Sequence, residues 1–350
     1  MLIIGCDLHT RYQQIAVLDG ETGEVIERRL EHENGEAAAF YAGLSPGARV
    51  GIEATTPAHW FERMLTEFRH ELWVGDAAQI RAMSVRRQKH DPRDARHLMD
   101  LLALGRFPRI WTPPPRERDL RQLLAHRDRL VRMRTAVKNQ LHALAMSQGV
   151  CRRHKLWSAR GQLELQRLRL LPWASRRRQD LRQLLMTLET TIGELDQAVA
   201  QEAGARNEVK LLMTHPGIGP VVGLAFVLTV GPVERFARSK QVVSYFGLNP
   251  REHSSGSRQR LGRISKQGNP MMRWLLVEAA QTAARFDPEL HRRYHRLKFR
   301  RGSSLAKVAI ARQLAVRLYW MLRQQKDYAQ LVRMQGSPGS GVVDSVPSTN

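Results

Sequence analysis

The amino-acid sequence predicts an α/β domain followed by a mostly α-helical region. Up to about residue 85, short apolar runs of strand length alternate with turns and short helical stretches. From residue 120 onwards, leucines instead recur at helical spacing. A proline-rich segment over residues 112–115 separates the two patterns and is typical of a stiff linker. We therefore expect domains over residues 1–112, 113–205 and 206–330, and a disordered Gly/Ser/Pro-rich tail over residues 331–350.

The charge of the chain predicts a polyanionic partner. Lys and Arg number 56 against 33 Asp and Glu, a formal net charge of +23, and nucleic acid is the commonest partner of such an excess. An anionic membrane surface is the competing interpretation, but no apolar run approaches the roughly 20 residues that cross a bilayer. The chain starts with a strand rather than a signal peptide, and its two cysteines, Cys6 and Cys151, are too few for a disulfide framework or a zinc site. We expect a protein of a reducing cytoplasm that has no membrane partner.

The N-terminal domain opens as an antiparallel meander. The strand candidates cover residues 2–7, 14–18, 25–29, 49–53 and 72–74, and the helix candidates cover residues 36–44, 57–69 and 77–85. Three hairpin-linked strands, then helix, strand, helix, strand and helix, is the element order of the ribonuclease-H-like fold. Nucleases of that fold place one acid on the first strand, one on the fourth and one or two on a late helix. Asp7, Glu53 and the pair Asp91 and Asp94 occupy those places here.

The pair Asp91 and Asp94 has two interpretations. Asp91 before Pro92 is a good helix N-cap, and Asp94 in the first turn complements the helix dipole. The spacing i, i+3 also puts both carboxylates on one helical face, and together with Asp7 and Glu53 it favours a metal site. Four clustered acids suit Mg²⁺, which takes oxygen ligands and keeps positions for a substrate phosphate. Without a cation these acids would repel one another unless nearby arginines replaced it.

The pattern of leucines and arginines over residues 113–205 predicts a basic pair of long helices, called the arm below. One helix carries leucines from Leu120 to Leu144 and ends at Gly149. A second helix has a repeat typical of a coiled-coil seam, formed by Leu181, Leu185, Leu188, Ile192, Leu195 and Val199. Between them, residues 151–180 are rich in arginine and include Trp157 and Trp173. An ordinary helical hairpin with a solvated basic face explains this pattern. The functional alternative is an arm that pairs protomers and lies along a phosphate backbone, with the tryptophans stacking on unpaired bases.

Two stretches of the C-terminal domain are candidates for contacts with nucleic acid. Residues 216–219 (Pro-Gly-Ile-Gly) are similar to the turn of a helix-hairpin-helix element, in which glycines such as Gly217 and Gly219 bring backbone N–H groups close to phosphates. A tight turn also needs glycine. Residues 254–257 (Ser-Ser-Gly-Ser) precede the cations Arg258, Arg260, Arg263 and Lys266. A serine nucleophile needs close approach to a phosphate and cations that stabilise the developing charge, although a flexible solvated loop has the same composition.

Taken together, these stretches resemble the DEDD transposases of the insertion-sequence "one-ten" family, IS110, which are related to the Piv DNA invertases. The N-terminal part of that family's signature is present as Asp7, residues 51–55 (Gly-Ile-Glu-Ala-Thr) and residues 91–94 (Asp-Pro-Arg-Asp). The C-terminal part is present as residues 216–219, 247–250, 255–256 and 265–268. The resemblance covers nearly the whole chain, and it implies a RuvC-like N-terminal domain, a coiled coil and a C-terminal transposase domain.

The resemblance also implies an activity and the residues that carry it. Ser255, directly before Gly256, would be the nucleophile in a site built from both domains, beside Mg²⁺ held by Asp7, Glu53, Asp91 and Asp94. The family cuts and rejoins donor and target DNA through a phosphoserine link, guided by a structured non-coding bridge RNA that pairs with both DNAs. We therefore expect a DNA transposase in the bacterial cytoplasm, associated with the nucleoid, that forms a dimer or tetramer through the coiled coil.

Three other functions fit part of the sequence. A metal-dependent junction-resolving endonuclease would use the same acids without covalent serine chemistry. A non-catalytic nucleic-acid-binding scaffold would use the acids as helix caps. A sugar-kinase-like ATPase would share the sheet, but the chain lacks a second phosphate-binding loop and has the wrong charge. The endonuclease and the scaffold are therefore the alternatives to test.

Overall fold

A computed structural model describes residues 1–54, 58–84, 91–151, 155–252 and 261–335 of the chain. The chain divides into two compact units, Met1–Pro113 and a second unit that begins at Pro114. The first unit is mixed α/β and the second is mostly helical, which confirms the predicted fold class at that level. None of the helices in the described ranges is long and apolar enough to cross a membrane.

The first unit is built on a mixed β-sheet. Its strands are β1 (Leu2–Leu8), β2 (Tyr12–Asp19), β3 (Val25–Glu31), β4 (Arg49–Glu53) and β5 (Glu71–Gly75), and its helices are α1 (Glu36–Ala42), α2 (His59–Glu67), α3 (Ala77–Met83) and α4 (Asp91–Ala103). In the described residues the strand order is β3-β2-β1-β4-β5. The pairs β1–β2 and β2–β3 are antiparallel, whereas β1–β4 and β4–β5 are parallel. The predicted strands and helices are confirmed, and their described ends differ from the prediction by no more than two residues.

Alternation along β1 assigns its two faces to different helices. Ile4 and Cys6 are fully buried in a cluster with Tyr41 of α1 and Phe61 of α2. The intervening residues point to the opposite face, where α4 packs against the sheet. Gly5 lies on that second face, directly beneath α4. The sheet is therefore covered on both sides, as expected for parallel strands joined by helices.

The second unit begins with two long helices that pack against each other. They are α5 (Pro115–Ser147) and α7 (Pro172–Gly204), with the short α6 (Ala159–Arg167) between them. Each long helix spans about 50 Å. Arg116 pairs with Glu202, Arg127 with Asp196 and Lys138 with Glu189, so the two helices run antiparallel.

The predicted seam of α7 is used inside the chain. Leu181, Leu185, Leu188 and Ile192 are buried in one cluster with Val137 and Leu141 of α5. The apolar repeat predicts a surface for a partner helix, but a repeat of this kind does not identify whether that helix belongs to the same chain or to a second protomer. The first four residues of the repeat are covered by α5, and pairing of protomers remains a prediction.

The tryptophans of the arm have different surroundings. Trp157 packs against the cluster of the helical hairpin, where Lys138 lies over its ring at 5.1 Å. Trp173 is 86% exposed at the start of α7. Trp157 therefore contributes to the core, whereas most of the Trp173 side chain is open to solvent.

The remainder of the second unit surrounds one apolar core. Its elements are α8 (Asn207–Met213), α9 (Pro220–Val230), a 3₁₀ turn (Val233–Arg235), α10 (Ser239–Tyr245), β6 (Pro250–Glu252), β7 (Leu261–Ile264), α11 (Pro270–Phe286), α12 (Pro288–Arg301), α13 (Ser303–Gln324) and α14 (Tyr328–Gln335). Fully buried Phe226, Phe246, Leu276, Leu314 and Tyr319 belong to this core. β6 and β7 form an antiparallel hairpin.

The start of the predicted disordered tail is wrong. Residues 331–335 are the last five residues of α14, and Leu331 is buried in the core of the second unit. The composition of the chain end concealed this, because only a few of the described residues hold α14: Leu331 packs into the core and Tyr328 Oη donates to Asp287 Oδ2 at 2.6 Å. Residues 336–350 lie outside the described part of the chain.

Candidate functional site

The register of β1 and β4 brings two of the predicted acids to adjacent positions. The parallel pairing continues as far as Cys6 opposite Ile52, and Asp7 and Glu53 are the next residues on the two strands. Neighbouring strands lie about 4.8 Å apart, and residues in register point to the same face. That face is the one that carries α4, because Cys6 and Ile52 point into the opposite cluster.

Gly5 allows α4 to bring a third acid to this edge. A Cβ atom added to Gly5 would lie 2.1 Å from the carbonyl oxygen of Ala95 and 2.3 Å from the backbone nitrogen of Met99. The backbones of β1 and α4 therefore touch at this point. Asp7 lies two residues beyond Gly5 on the same face, and Asp91 lies one helical turn before Ala95. The contact thus places the start of α4 over the end of β1.

Asp7, His9 and Asp91 form a compact group of metal-ligand type. Their ligand atoms lie within 4.8 Å of one another, and each side chain is partly buried. His9 Nε2 lies 3.1 Å from Asp7 Oδ2 and 3.4 Å from Asp91 Oδ2. Tyr12 Oη donates a hydrogen bond of 2.9 Å to Asp91 Oδ2. The sheet and α4 have therefore gathered two of the predicted acids around an imidazole.

His9 and Tyr12 are functional candidates that the sequence analysis missed. They flank the turn between β1 and β2, where the His9 N–H donates to the Tyr12 carbonyl and the two rings stack at 4.6 Å. The sequence could have indicated His9 as a candidate ligand, because a residue two positions after Asp7 lies on the same face of an extended chain. The contact between Tyr12 and Asp91 could not be predicted from the sequence, because it depends on how the turn between β1 and β2 folds.

The surroundings of Asp91 are polar and partly cationic. Arg29 lies over the Tyr12 ring, 3.7 Å from its centroid. The hydrogen bond to Asp91 raises the pKa of Tyr12, so the phenol stays a donor at neutral pH. A histidine and a tyrosine thus contact Asp91. The arginines that were expected to offset the charge of the acids are not its direct partners among the described residues.

The donor set fits a divalent cation. Carboxylate oxygens are the ligands of hard cations such as Mg²⁺ and Mn²⁺, and an imidazole nitrogen is compatible with Mn²⁺ and softer metals. This acidic group therefore suggests a divalent metal. Glu53 and Asp94 are not members of the compact group within the described residues. Glu53 is adjacent to Asp7 by register, and Asp94 is partly buried in the first turn of α4.

The predicted serine and two of its cations lie outside the described residues. These are Ser255, Arg258 and Arg260. The chain on either side is described, and it forms the β6–β7 hairpin, in which Glu252 pairs with Leu261. Arg263 on β7 and Lys266 just after it are both exposed.

Two glycines of the sequence motifs, Gly247 and Gly268, lie where the backbone segments next to β6 and β7 pack closely. Gly247 has φ +65° and Gly268 has φ +69°, both in the left-handed region. An added Cβ would lie 2.3 Å from the carbonyl oxygen of Gln267 at the first position and 2.1 Å from that of Tyr245 at the second. The Ser265 hydroxyl donates to Asn249 Oδ1 at 3.0 Å. These motif residues therefore fix the chain next to β6 and β7.

The turn between α8 and α9 has a structural reason for its first glycine. Gly217 has φ +88°, and an added Cβ would lie 2.6 Å from the Ala279 carbonyl oxygen of α11. Gly219 has an extended backbone, and no atom lies within 4 Å of the position of its Cβ. The tight-turn interpretation thus accounts for Gly217. The binding of phosphates by Gly217 and Gly219 stays a prediction.

Comparisons with known proteins cover both units. A family model described as a transposase, of the DEDD IS110 type, matches residues 4–147, and a second model, described as transposase IS116/IS110/IS902 family, matches residues 209–295. These matches support an IS110/IS116/IS902-family DEDD transposase. The first match includes Asp7, Glu53, Asp91 and Asp94, and the second includes Ser255.

Relatives of similar length carry transposase names. The chain is 28% identical over 328 residues to a probable family 20 transposase of Pseudomonas aeruginosa, and the alignment covers 91% of this chain and 96% of that protein. It is 28% identical over 346 residues to the transposase for insertion sequence element IS1111A of Coxiella burnetii, covering 93% and 91% of the two chains. A transposase for insertion sequence element IS1328 of Yersinia enterocolitica is 27% identical over 289 residues, with 80% and 83% covered. An insertion-sequence transposase function is supported, and DNA is the substrate of that class.

Proposed function

We propose that the chain cuts and rejoins DNA through a covalent phosphoserine intermediate, with Ser255 as the nucleophile and a Mg²⁺ site formed by Asp7, Glu53, Asp91 and Asp94. The observation that carries the proposal is the meeting of Asp7 and Asp91. These residues are 84 positions apart in the sequence, yet both lie within 3.4 Å of His9 Nε2. Helix capping alone gives no reason for Asp91 to approach a strand-ending acid.

The proposed reaction conserves the number of phosphoester bonds. The Ser255 oxygen attacks a backbone phosphorus, a serine–phosphate ester forms, and one P–O bond to deoxyribose breaks. The serine proton leaves with the departing hydroxyl. A hydroxyl of the partner DNA strand then attacks the same phosphorus and releases Ser255, so rejoining needs no ATP. Arg258, Arg260, Arg263 and Lys266 stand close to Ser255 in the sequence and would stabilise the charge on the phosphate.

The metal part of the proposal concerns the first unit. Asp7 and Asp91 are its best-supported ligands, Glu53 is the neighbour of Asp7 by register, and Asp94 follows Asp91 by three residues in α4. When bound, Mg²⁺ would neutralise phosphate charge at this edge of the sheet. The strand order β3-β2-β1-β4-β5 supports a ribonuclease-H-like, RuvC-like fold for this unit, which forms part of the same proposal.

Three further components come from the resemblance to the family. They are a structured bridge RNA that pairs with donor and target DNA, a relation to the Piv invertases, and assembly as a dimer or tetramer through the coiled coil. The net charge of +23 supports a partner with many phosphates. If base pairing reads the sequence, the protein needs only to hold nucleic-acid backbones.

A covalent-adduct assay tests the serine. Purified protein, the guide RNA and end-labelled DNA are combined with Mg²⁺, and denaturing gels reveal protein-linked DNA. The Ser255→Ala variant should form no adduct, whereas Ser254→Ala, its direct neighbour, should form the adduct at a normal level. Adduct formation by Ser255→Ala would contradict the assignment of the nucleophile.

The same assay separates the two alternatives. If the chain is a metal-dependent junction endonuclease, the Ser255→Ala variant should still cut DNA and the Asp91→Asn variant should not. If the chain is a non-catalytic scaffold, its Asp94→Asn variant should support strand exchange as well as the unmodified chain does. Cutting by Ser255→Ala together with an inactive Asp91→Asn would replace the proposed recombinase with the endonuclease.

A further inference from the structure

Helix α12 is the most cationic helix of the second unit outside the α5–α7 arm. Its sequence, PELHRRYHRLKFRR, holds six Lys and Arg residues against one acid, Glu289. Glu289 bonds Arg317 of α13 and accepts from Gln313, so its charge is directed towards the neighbouring helix. The positive charge of α12 therefore lacks compensation from its own helix.

The exposed face of α12 carries a continuous stripe. Arg292, Arg296 and Arg300 follow one another at i, i+4 and i+8, and each is exposed. Phe299 lies on the same stripe and is 94% exposed. Leu290 is fully buried on the opposite face. An aromatic ring in water between arginines has no packing role within the described residues.

The base of α12 is rigid, which makes the stripe a preorganised surface. Asp287 is 2% exposed and caps the helix by accepting from the Leu290 N–H at 2.7 Å. Its other oxygen receives bonds from Arg317 at 2.5 Å and from Tyr328 at 2.6 Å. A surface whose helix is fixed in this way loses little conformational entropy when a ligand binds.

We propose that α12 binds DNA that contains unpaired bases, with Arg292, Arg296 and Arg300 on the phosphates and Phe299 stacked on an exposed base. Charge complementarity selects a polyanion. The phenylalanine selects unpaired bases, because a ring can stack on a base only where the base is free of its neighbours. The choice of DNA over RNA rests on the proposed function, since strand exchange exposes unpaired DNA.

Fluorescence anisotropy tests this surface without any cutting. The full chain carries Ser255→Ala in every sample, so failure of the cutting proposal does not affect the readout. The probes are a labelled duplex with a central unpaired bubble, the fully paired duplex of the same length, a stem-loop RNA and anionic lipid vesicles. Arg292→Gln/Arg296→Gln is compared with Arg28→Gln/Arg63→Gln, which removes two exposed arginines from the first unit. Circular dichroism confirms that each variant is folded.

The arginine pair should control affinity and salt dependence. Arg292→Gln/Arg296→Gln should weaken binding of both DNAs about 10-fold and lower the slope of log affinity against log salt by about 2, because two phosphate contacts are lost. Phe299→Ala should weaken binding of the bubble DNA at least about 5-fold and change the paired duplex less, and Phe299→Trp should restore it. DNA affinities within twofold of the Arg28→Gln/Arg63→Gln control would overturn the proposal. A loss confined to the RNA or to the vesicles would also overturn it.

Discussion

Gly5→Ala tests whether the contact between β1 and α4 builds the acidic site. The new Cβ would lie 2.1 Å from the Ala95 carbonyl oxygen, whereas real Cβ contacts essentially never fall below 3.0 Å. The helix must therefore move away from the strand by about 0.9 Å or more. Both clashing atoms, Ala95 O and Met99 N, belong to the backbone of α4, so no side-chain rotation relieves the contact.

The cost of this movement should appear in stability and in metal binding. Overpacking typically costs about 1–3 kcal/mol, and contact with backbone atoms favours the upper end, about 3 kcal/mol. For a unit of this size, such a loss lowers the melting temperature by more than about 10 °C. Asp91 moves with Ala95, because the two are one helical turn apart, while Asp7 stays on β1. We therefore expect Mn²⁺ binding to weaken at least about 10-fold even below the melting temperature.

Thermal unfolding of the full chain and calorimetric titration with Mn²⁺ measure the two effects. Gly43→Ala is the matched control, because Gly43 belongs to the same unit and an added Cβ there would make only ordinary contacts, at 3.4 Å or more. Equal melting temperatures and equal Mn²⁺ affinities for the two variants would refute the structural argument.

Two further predictions concern the second unit. Burial lowers the pKa of His215 to about 4 from an ordinary 6.5, so between these values the unfolded chain binds the proton that the folded chain excludes. Stability should consequently fall by about 3 kcal/mol as the pH drops from 6.5 to 4, and urea unfolding at several pH values should show a flatter profile for His215→Gln. Arg317→Met leaves Asp287 buried without its cation and should cost about 3–5 kcal/mol, part of which Arg317→Met/Asp287→Asn should recover in the same urea assay. A single-variant loss below about 1 kcal/mol would show that the buried pair is weakly coupled.

The sequence predicted the first unit well because its signals are local. Buried strands are short apolar runs, and the acids at their ends, Asp7 and Glu53, interrupt those runs visibly. The register that sets these acids side by side, with Cys6 opposite Ile52, is a finding of the structure. His9 and Tyr12 escaped notice because their role depends on a turn that folds one ring against the other.

The second unit shows where sequence patterns fail. The repeat of Leu181, Leu185 and Leu188 specifies an apolar stripe, but α5 of the same chain covers it. The basic run of α12 is equally visible in the sequence, yet its meaning depends on which residues are exposed. Arg293 is partly buried, whereas Arg292 beside it is exposed, and composition treats the two alike.

Tyr12→Phe asks whether the hydrogen bond to Asp91 serves the metal site. The bond of 2.9 Å orients one carboxylate oxygen of Asp91, Oδ2. If Asp91 is a metal ligand, Tyr12 acts as an outer-shell donor, and such donors typically contribute 10- to 100-fold to metal affinity. The substitution removes only a hydroxyl that faces a polar edge, so the stability of the fold should change little.

We therefore expect Tyr12→Phe to weaken Mn²⁺ binding about 10-fold, less than Asp91→Asn, with an unchanged melting temperature. Tyr294→Phe, which alters a partly buried tyrosine of α12, controls for the loss of a phenol elsewhere. Tighter Mn²⁺ binding by Tyr12→Phe would show that the phenol competes with the cation for Asp91. Unchanged binding by both Tyr12→Phe and Asp91→Asn would place the metal ligands elsewhere, and the approach of Asp91 to β1 would then serve only to fasten α4 to the sheet.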